Sequence, residues 1–104
     1  MNTRQRMYES NGKAREWLKE NNFEDVHLFP HNRFCKDVHF LGLSFDGCAS
    51  FERKFVLFQI KTNDKPSKKV QEQMKIASED SGVILLWLSV VKADISVWGN
   101  YDNK

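Results

Sequence analysis

Residues 46–61 read DGCASFERKFVLFQIK, and the architecture turns on their second half, Lys54 to Lys61. An apolar strand, Phe55 to Ile60, ends in an amide, Gln59, and an ammonium, Lys61, separated by one isoleucine. Burying such groups without partners costs about 2–7 kcal/mol each, so this strand end either meets water or carries chemistry. Glu52 and Arg53 stand where a hairpin turn belongs. With the turn centred there, Asp46 lies opposite Gln59 and Ser44 opposite Lys61, with opposed Cβ atoms roughly 5 Å apart. Alternation places Phe55, Leu57, Gln59 and Lys61 on one face of the strand and Val56, Phe58 and Ile60 on the other. A carboxylate, an amide and an ammonium are thereby expected at one spot, and a slip of one residue in the turn would scatter them.

Working outward, Met7, Ala14, Trp17 and Leu18 recur at helical spacing and predict an amphipathic helix from about Thr3 to Glu20, with Asn11-Gly12 as its weak point. Val26 and Leu28 begin a strand that Pro30 stops or confines to an edge. DVHFLGLSFDGCAS, residues 37–50, reads as a second strand bent at Gly42 or Gly47, and KFVLFQIK as a third. Asp64-Lys65-Pro66-Ser67 is a helix start, Val70, Met74 and Ala77 mark a buried helical stripe, and Gly82 is its stop. GVILLWLSVV is continuous enough for a strand buried on both faces, and Ile95 and Val97 alternate in a last strand. A helix between two strands implies a crossover to a parallel neighbour. The expected class is α/β, with a mixed central sheet flanked by helices.

A chain of 104 residues with 40% hydrophobic residues suits one domain spanning residues 1–104. A formal charge of +2 is too small to demand a nucleic-acid partner by itself. Its distribution says more: between Lys61 and Lys75 five lysines (61, 65, 68, 69 and 75) face only Asp64 and Glu72. Such runs are commonly solvated helix faces, but Lys65, Lys68 and Lys69 also stand at a helix N-terminus, whose free amide donors favour phosphate. Cys35 and Cys48 have neither CxxC spacing nor the density of a disulfide scaffold, and are expected to be reduced. The N-terminal stretch MNTRQRMYES lacks the apolar core of a signal peptide, and Val83 to Val91 is too short to span a bilayer. The expectation is a soluble, intracellular, cytoplasmic protein without a membrane partner.

A carboxylate beside an amide oxygen and backbone carbonyls is a set of hard oxygen donors suited to Mg²⁺ or Mn²⁺. A neighbouring ammonium holds an attacking water or neutralises charge developing on a phosphoryl group, which together describe phosphodiester hydrolysis. Asp46, a hairpin, an apolar strand ending Gln59-Ile60-Lys61, then a helix and another apolar strand resemble the PD-(D/E)XK nuclease superfamily, which includes Holliday-junction resolvases and restriction enzymes. The likeness covers most of the chain, since RQRMYESNGKAREWLKENNF also resembles the leading helix of resolvase-like members.

The resemblance implies a restriction-endonuclease-like αβββαβ core and Mg²⁺- or Mn²⁺-dependent cleavage of DNA. It makes Asp46 and Gln59 metal ligands, with the Ile60 carbonyl completing the shell, and Lys61 the catalytic lysine. Glu9 matches the glutamate of the family's leading helix, with Glu16 as competitor, and Asp37 is a further acid near the site. The chain departs from the pattern twice: Gln59 stands where the usual acid would be, and Phe45 rather than proline precedes Asp46. A homodimer follows from the small surface that one such domain offers to DNA.

Other residues admit plainer readings. His27, His31, Cys35 and His39 are spaced by four, but Pro30 interrupts any helix that would align them as metal ligands. His31, Asn32 and Arg33 form a polar loop suited to phosphate, with Arg33 the expected nucleic-acid contact beside Lys65, Lys68 and Lys69. Trp17, Trp87 and Trp98 read as core or interface residues before base-stacking platforms. The alternative from another class is a non-catalytic module that keeps the nuclease fold to bind nucleic acid or protein, and a third reading is an RNA-processing nuclease.

Overall fold

The structure, a computed structural model, describes residues 3–29, 38–40, 43–92 and 94–99. Its elements run α1 (Thr3–Glu20), β1 (Glu24–Leu28), β2 (Val38–Phe40), β3 (Leu43–Phe45), β4 (Gly47–Phe51), β5 (Lys54–Thr62), α2 (Lys68–Ser81), β6 (Ile84–Val91) and β7 (Asp94–Gly99). The side chain of Met7, the loop residues His31, Asn32, Arg33 and Cys35, and Asp37 lie outside the described residues.

Five strands form a mixed sheet in the order β1-β4-β5-β6-β7. The hairpin that organises it closes at Glu52 and Arg53, which adopt φ of 50° and 67°. Two consecutive left-handed residues make a type I′ turn, whose twist matches that of the strands it joins. The resulting register pairs Phe51 with Lys54 and Gly47 with Phe58, as the centred turn predicts. At Gly47 the Phe58 ring and the His27 carbonyl press so close that a Cβ would stand 2.5 Å from that oxygen, so only glycine fits there.

The second strand departs from its prediction. It divides into β2, β3 and β4; β2 and β3 form a separate two-stranded sheet in which Ser44 pairs with His39. The expected pairing of Ser44 with Lys61 is therefore not made, and the β4–β5 ladder ends at Gly47–Phe58, one pair short of the expected Asp46–Gln59 pair. The break falls at Asp46, whose peptide N–H still donates to the Phe58 carbonyl (2.8 Å) and whose carbonyl accepts from Phe29 (2.8 Å).

Helix α1 runs unbroken through Asn11-Gly12. Its Ala14 and Leu18 pack with Phe23, Val56, Phe58, Leu86 and Leu88 on one sheet face. Helix α2 covers the other, where Met74 and Ala77 meet Leu57, Leu85 and Trp87, with Leu43 and Phe45 of β3 beside them. Ser67 caps α2 by accepting the Val70 amide at 3.2 Å, and Gly82 ends it at φ 76°. The crossover through α2 sets β6 parallel to β5 with Gln59 beside Trp87 and Lys61 beside Ser89. β7 pairs antiparallel to β6 and forms one edge of the sheet. The architecture is mixed α/β.

Candidate functional site

The candidate residues lie around the C-terminal half of β5: Asp46 meets the backbone of β5 at Ile60, between Gln59 and Lys61, while the Lys61 ammonium leans toward β6. Where β3 leaves the sheet, the β4 edge of β5 loses its ladder partner. The Asp46 carboxylate replaces that partner, its Oδ2 accepting the Ile60 peptide N–H at 2.7 Å. Because a residue's N–H and C=O leave a strand toward the same neighbour, the Ile60 carbonyl also points toward the β4 side, where Asp46 stands. Gln59 and Lys61 flank Ile60 and share the α2 face with Leu57.

Gln59 is 5% exposed, whereas Lys61 is half-buried and carries its ammonium over the Trp87 ring, 5.7 Å from the centroid. The indole Nε1 of Trp87 donates to the Asp64 carbonyl at 3.0 Å. Asp64 belongs to the loop that leads to the N-terminus of α2, so Lys61, Trp87 and the start of the basic run are one connected unit. At that N-terminus Lys65, Lys68 and Lys69 are exposed, and Gln71 ties the loop down through Nε2 to the Pro66 carbonyl at 3.1 Å. Arg33 and Asp37 lie outside the described residues.

Glu9 is exposed on α1, next to Ser10, whose Oγ lies 2.6 Å from Thr62 Oγ1 at the end of β5. One turn on, along the flank that carries Glu9, Lys13 donates to the Lys92 carbonyl in the β6–β7 connection. That flank therefore faces the β6 side of the sheet, whereas Asp46 lies on the β4 side. Glu16, also exposed, is two turns along the same flank. Among the described residues no three His, Cys, Asp or Glu side chains gather as a metal-binding group. His27, exposed on β1, meets the Phe29 ring edge-on, with ring centroids 6.1 Å apart.

Reasoning from sequence alone does not place Trp87 at this site. Its position beside Gln59 depends on a parallel register set across the whole α2 crossover, and no local pattern encodes that. Ser89 escapes for the same reason: it lies beside Lys61 with its hydroxyl buried and without a hydrogen-bond partner among the described residues. No described helix is long and apolar enough to cross a membrane.

In comparisons with known proteins, no family model, no curated protein and no solved structure matches this chain.

Proposed function

We propose that the chain is a metal-dependent endonuclease of PD-(D/E)XK type that hydrolyses DNA phosphodiester bonds, acts on branched DNA in the manner of a junction resolvase, and works as a homodimer. One observation carries the reading: the Asp46 carboxylate sits on the peptide of Ile60, between Gln59 and Lys61. The element order also supports it. An N-terminal helix, an antiparallel run β1-β4-β5, a crossover helix and a parallel β6 are compatible with an αβββαβ core of restriction-endonuclease-like type, with β2–β3 read as an insertion and β7 as an addition.

The donors present are one carboxylate, one amide oxygen and one peptide carbonyl, all hard oxygens. They fit Mg²⁺ or Mn²⁺ that retains most of its water and takes its remaining oxygens from substrate phosphate, the usual manner of Mg²⁺ binding in phosphoryl-transfer sites. When bound, the ion supplies Lewis-acid polarisation of the phosphate and an acidified water. The chain's own groups do the rest. Asp46 and Gln59 orient the donor set, and the Ile60 carbonyl completes it. The Lys61 ammonium, close to the Trp87 ring, neutralises charge developing on the scissile phosphate and holds the attacking water. Lys65, Lys68 and Lys69 bind flanking phosphates at the start of α2. Glu9 is the helix carboxylate of this reading, but α1 packs on the sheet face opposite to the one that carries Gln59 and Lys61, so Glu9 stands apart from them.

The test is cleavage of branched, duplex and single-stranded DNA by the purified chain with Mg²⁺ or Mn²⁺. Cleavage is expected, with Lys61→Ala slower by about 10²–10³-fold. No cleavage of any of the three substrates, or unchanged cleavage by Lys61→Ala, ends the proposal. The same panel with RNA substrates addresses the RNA-processing alternative.

The second reading, a non-catalytic binding module, is favoured by one feature. Asp46 already has a structural task in closing the strand edge, and Gln59, in the position of the usual acid, carries no charge. Calorimetric titration with Mn²⁺ separates the two readings, because only the nuclease reading expects heat that disappears in Asp46→Ala.

A further inference from the structure

A cavity of about 590 Å³ opens between α2 and β7. Its helical wall presents Lys68, Glu72 and Lys75 at i, i+4 and i+7, with Met74 behind them, and its strand wall includes Trp98. The volume is within the range of about 300–1,000 Å³ typical of small-ligand sites.

Its position is set by register. Gln59 pairs with Trp87 and Trp87 with Trp98, which makes one row across three adjacent strands on the α2 face. Neighbouring strands are about 4.8 Å apart, so Trp98 stands roughly 10 Å from Gln59, about the reach of one or two nucleotides from the candidate scissile position. The lining combines an indole and a thioether with two ammonium groups against one carboxylate. Aromatic surface beside cations is the chemistry that binds unpaired bases with their flanking phosphates. A paired duplex keeps its bases stacked inside and offers no free ring face to such a cleft.

We infer that this cleft binds an unpaired nucleotide of a DNA strand, its base against Trp98 and its flanking phosphates on Lys68 and Lys75, while the neighbouring phosphodiester lies at Asp46, Gln59 and Lys61. The inference rests on the nuclease reading for its second half and names the substrate feature that this site selects: a strand with unpaired bases.

The test is fluorescence anisotropy in metal-free buffer, where no cleavage intervenes, with a labelled single strand of about ten nucleotides and the same sequence as a duplex. The single strand is expected to bind more tightly. Trp98→Leu is expected to weaken it by about 5–150-fold, the effect of removing one stacked base. Because Trp98 is half-buried, the exposed pair Lys68→Ala and Lys75→Ala provides a second variant that keeps the fold. In it the slope of log affinity against log salt should shrink by about 1.4, or roughly 0.7 for each ammonium that no longer neutralises a single-strand phosphate.

Equal binding of both forms, or single-strand binding indifferent to both variants, overturns the inference. Failure of the nuclease reading looks different. Binding that depends on Trp98 and the two lysines, with no cleavage on adding Mg²⁺, leaves the cleft standing and removes the catalysis. Cleavage with binding indifferent to Trp98→Leu and to Lys75→Ala, residues that the nuclease reading does not use, does the reverse.

Discussion

The Asp46 carboxylate receives the Ile60 peptide N–H at 2.7 Å, and this bond both ends the β4–β5 ladder and holds the strand position between Gln59 and Lys61. One side chain is thus asked to stabilise the fold and to serve chemistry, and the two tasks separate by substitution. Asp46→Ala strands a partly buried amide and should cost about 1–3 kcal/mol. Asp46→Asn keeps an acceptor oxygen and should cost less than half as much. Urea denaturation measures both. Under the nuclease reading Asp46→Asn nevertheless loses metal-dependent cleavage, and a variant of near-native stability that still cleaves would contradict that role.

Lys61 carries its ammonium over the Trp87 ring, itself fixed by the Asp64 carbonyl. Ring current should therefore move the Lys61 ε-methylene protons upfield in the NMR spectrum of the wild-type protein. Trp87→Leu should return them to the ordinary lysine position and remove about 0.5–1 kcal/mol of cation–π attraction. Trp87→Phe should keep part of the upfield shift while losing the bond to Asp64. Indifference of the lysine protons to both changes would rule out this packing in solution.

Glu52 and Arg53 both hold left-handed backbone at φ 50° and 67°. That conformation costs residues with a Cβ roughly 1–2 kcal/mol each, and asparagine or glycine less. The double change to Asn-Gly, the preferred type I′ pair, should raise the melting temperature by several degrees in a thermal scan. A fall in melting temperature would place the turn in another class and unsettle the register that sets Asp46 near Gln59.

Burial pushes the Cys48 thiol above its ordinary range. In a Cys35→Ser background the thiol should react slowly with an aromatic disulfide at neutral pH and rapidly once urea unfolds the chain. The sign of the linkage follows. Above about pH 8.5 the unfolded thiol loses its proton while the folded one keeps it, so this group's contribution to stability declines as pH rises through that range. Cys48→Ala should flatten the alkaline arm of the stability curve.

Ser89 is 1% exposed, with a hydroxyl that finds no partner among the described residues. Ser89→Ala should therefore be neutral or stabilising by up to about 1 kcal/mol, since it removes an unsatisfied donor at little cost in volume. A clear loss of stability in denaturant would reveal an ordered water serving that hydroxyl.

Much of this arrangement is readable from residues that act locally. Ser67 and Gly82 bound α2 by capping, Glu52 and Arg53 set the hairpin register, and period two puts Gln59 and Lys61 on one face. What escapes depends on tertiary geometry. The run from Asp37 to Ser50 looks like one bent strand because its apolar residues continue through Phe45. The chain nevertheless breaks at Asp46, where a side chain replaces a ladder carbonyl. The azimuth of α1 is set by packing, including the bond from Lys13 to the Lys92 carbonyl, so the bearing of Glu9 cannot be taken from helical spacing. The parallel register that seats Trp87 beside Gln59 is fixed only when α2 docks.

The α2 crossover also has a kinetic side. β4 and β5 can zip through a two-residue turn within microseconds, as hairpins do. Val56 and Ile84, by contrast, meet only after the chain has closed a loop that includes a whole helix. That closure entropy is spent before the pairing rewards it. Until then the strand Ile84–Val91, buried along nearly its full length in the finished sheet, has only its antiparallel neighbour β7 to cover it. The most apolar segment of the chain is thus among the last to find its place, and the interval before α2 docks is when a newly made chain is most exposed to aggregation.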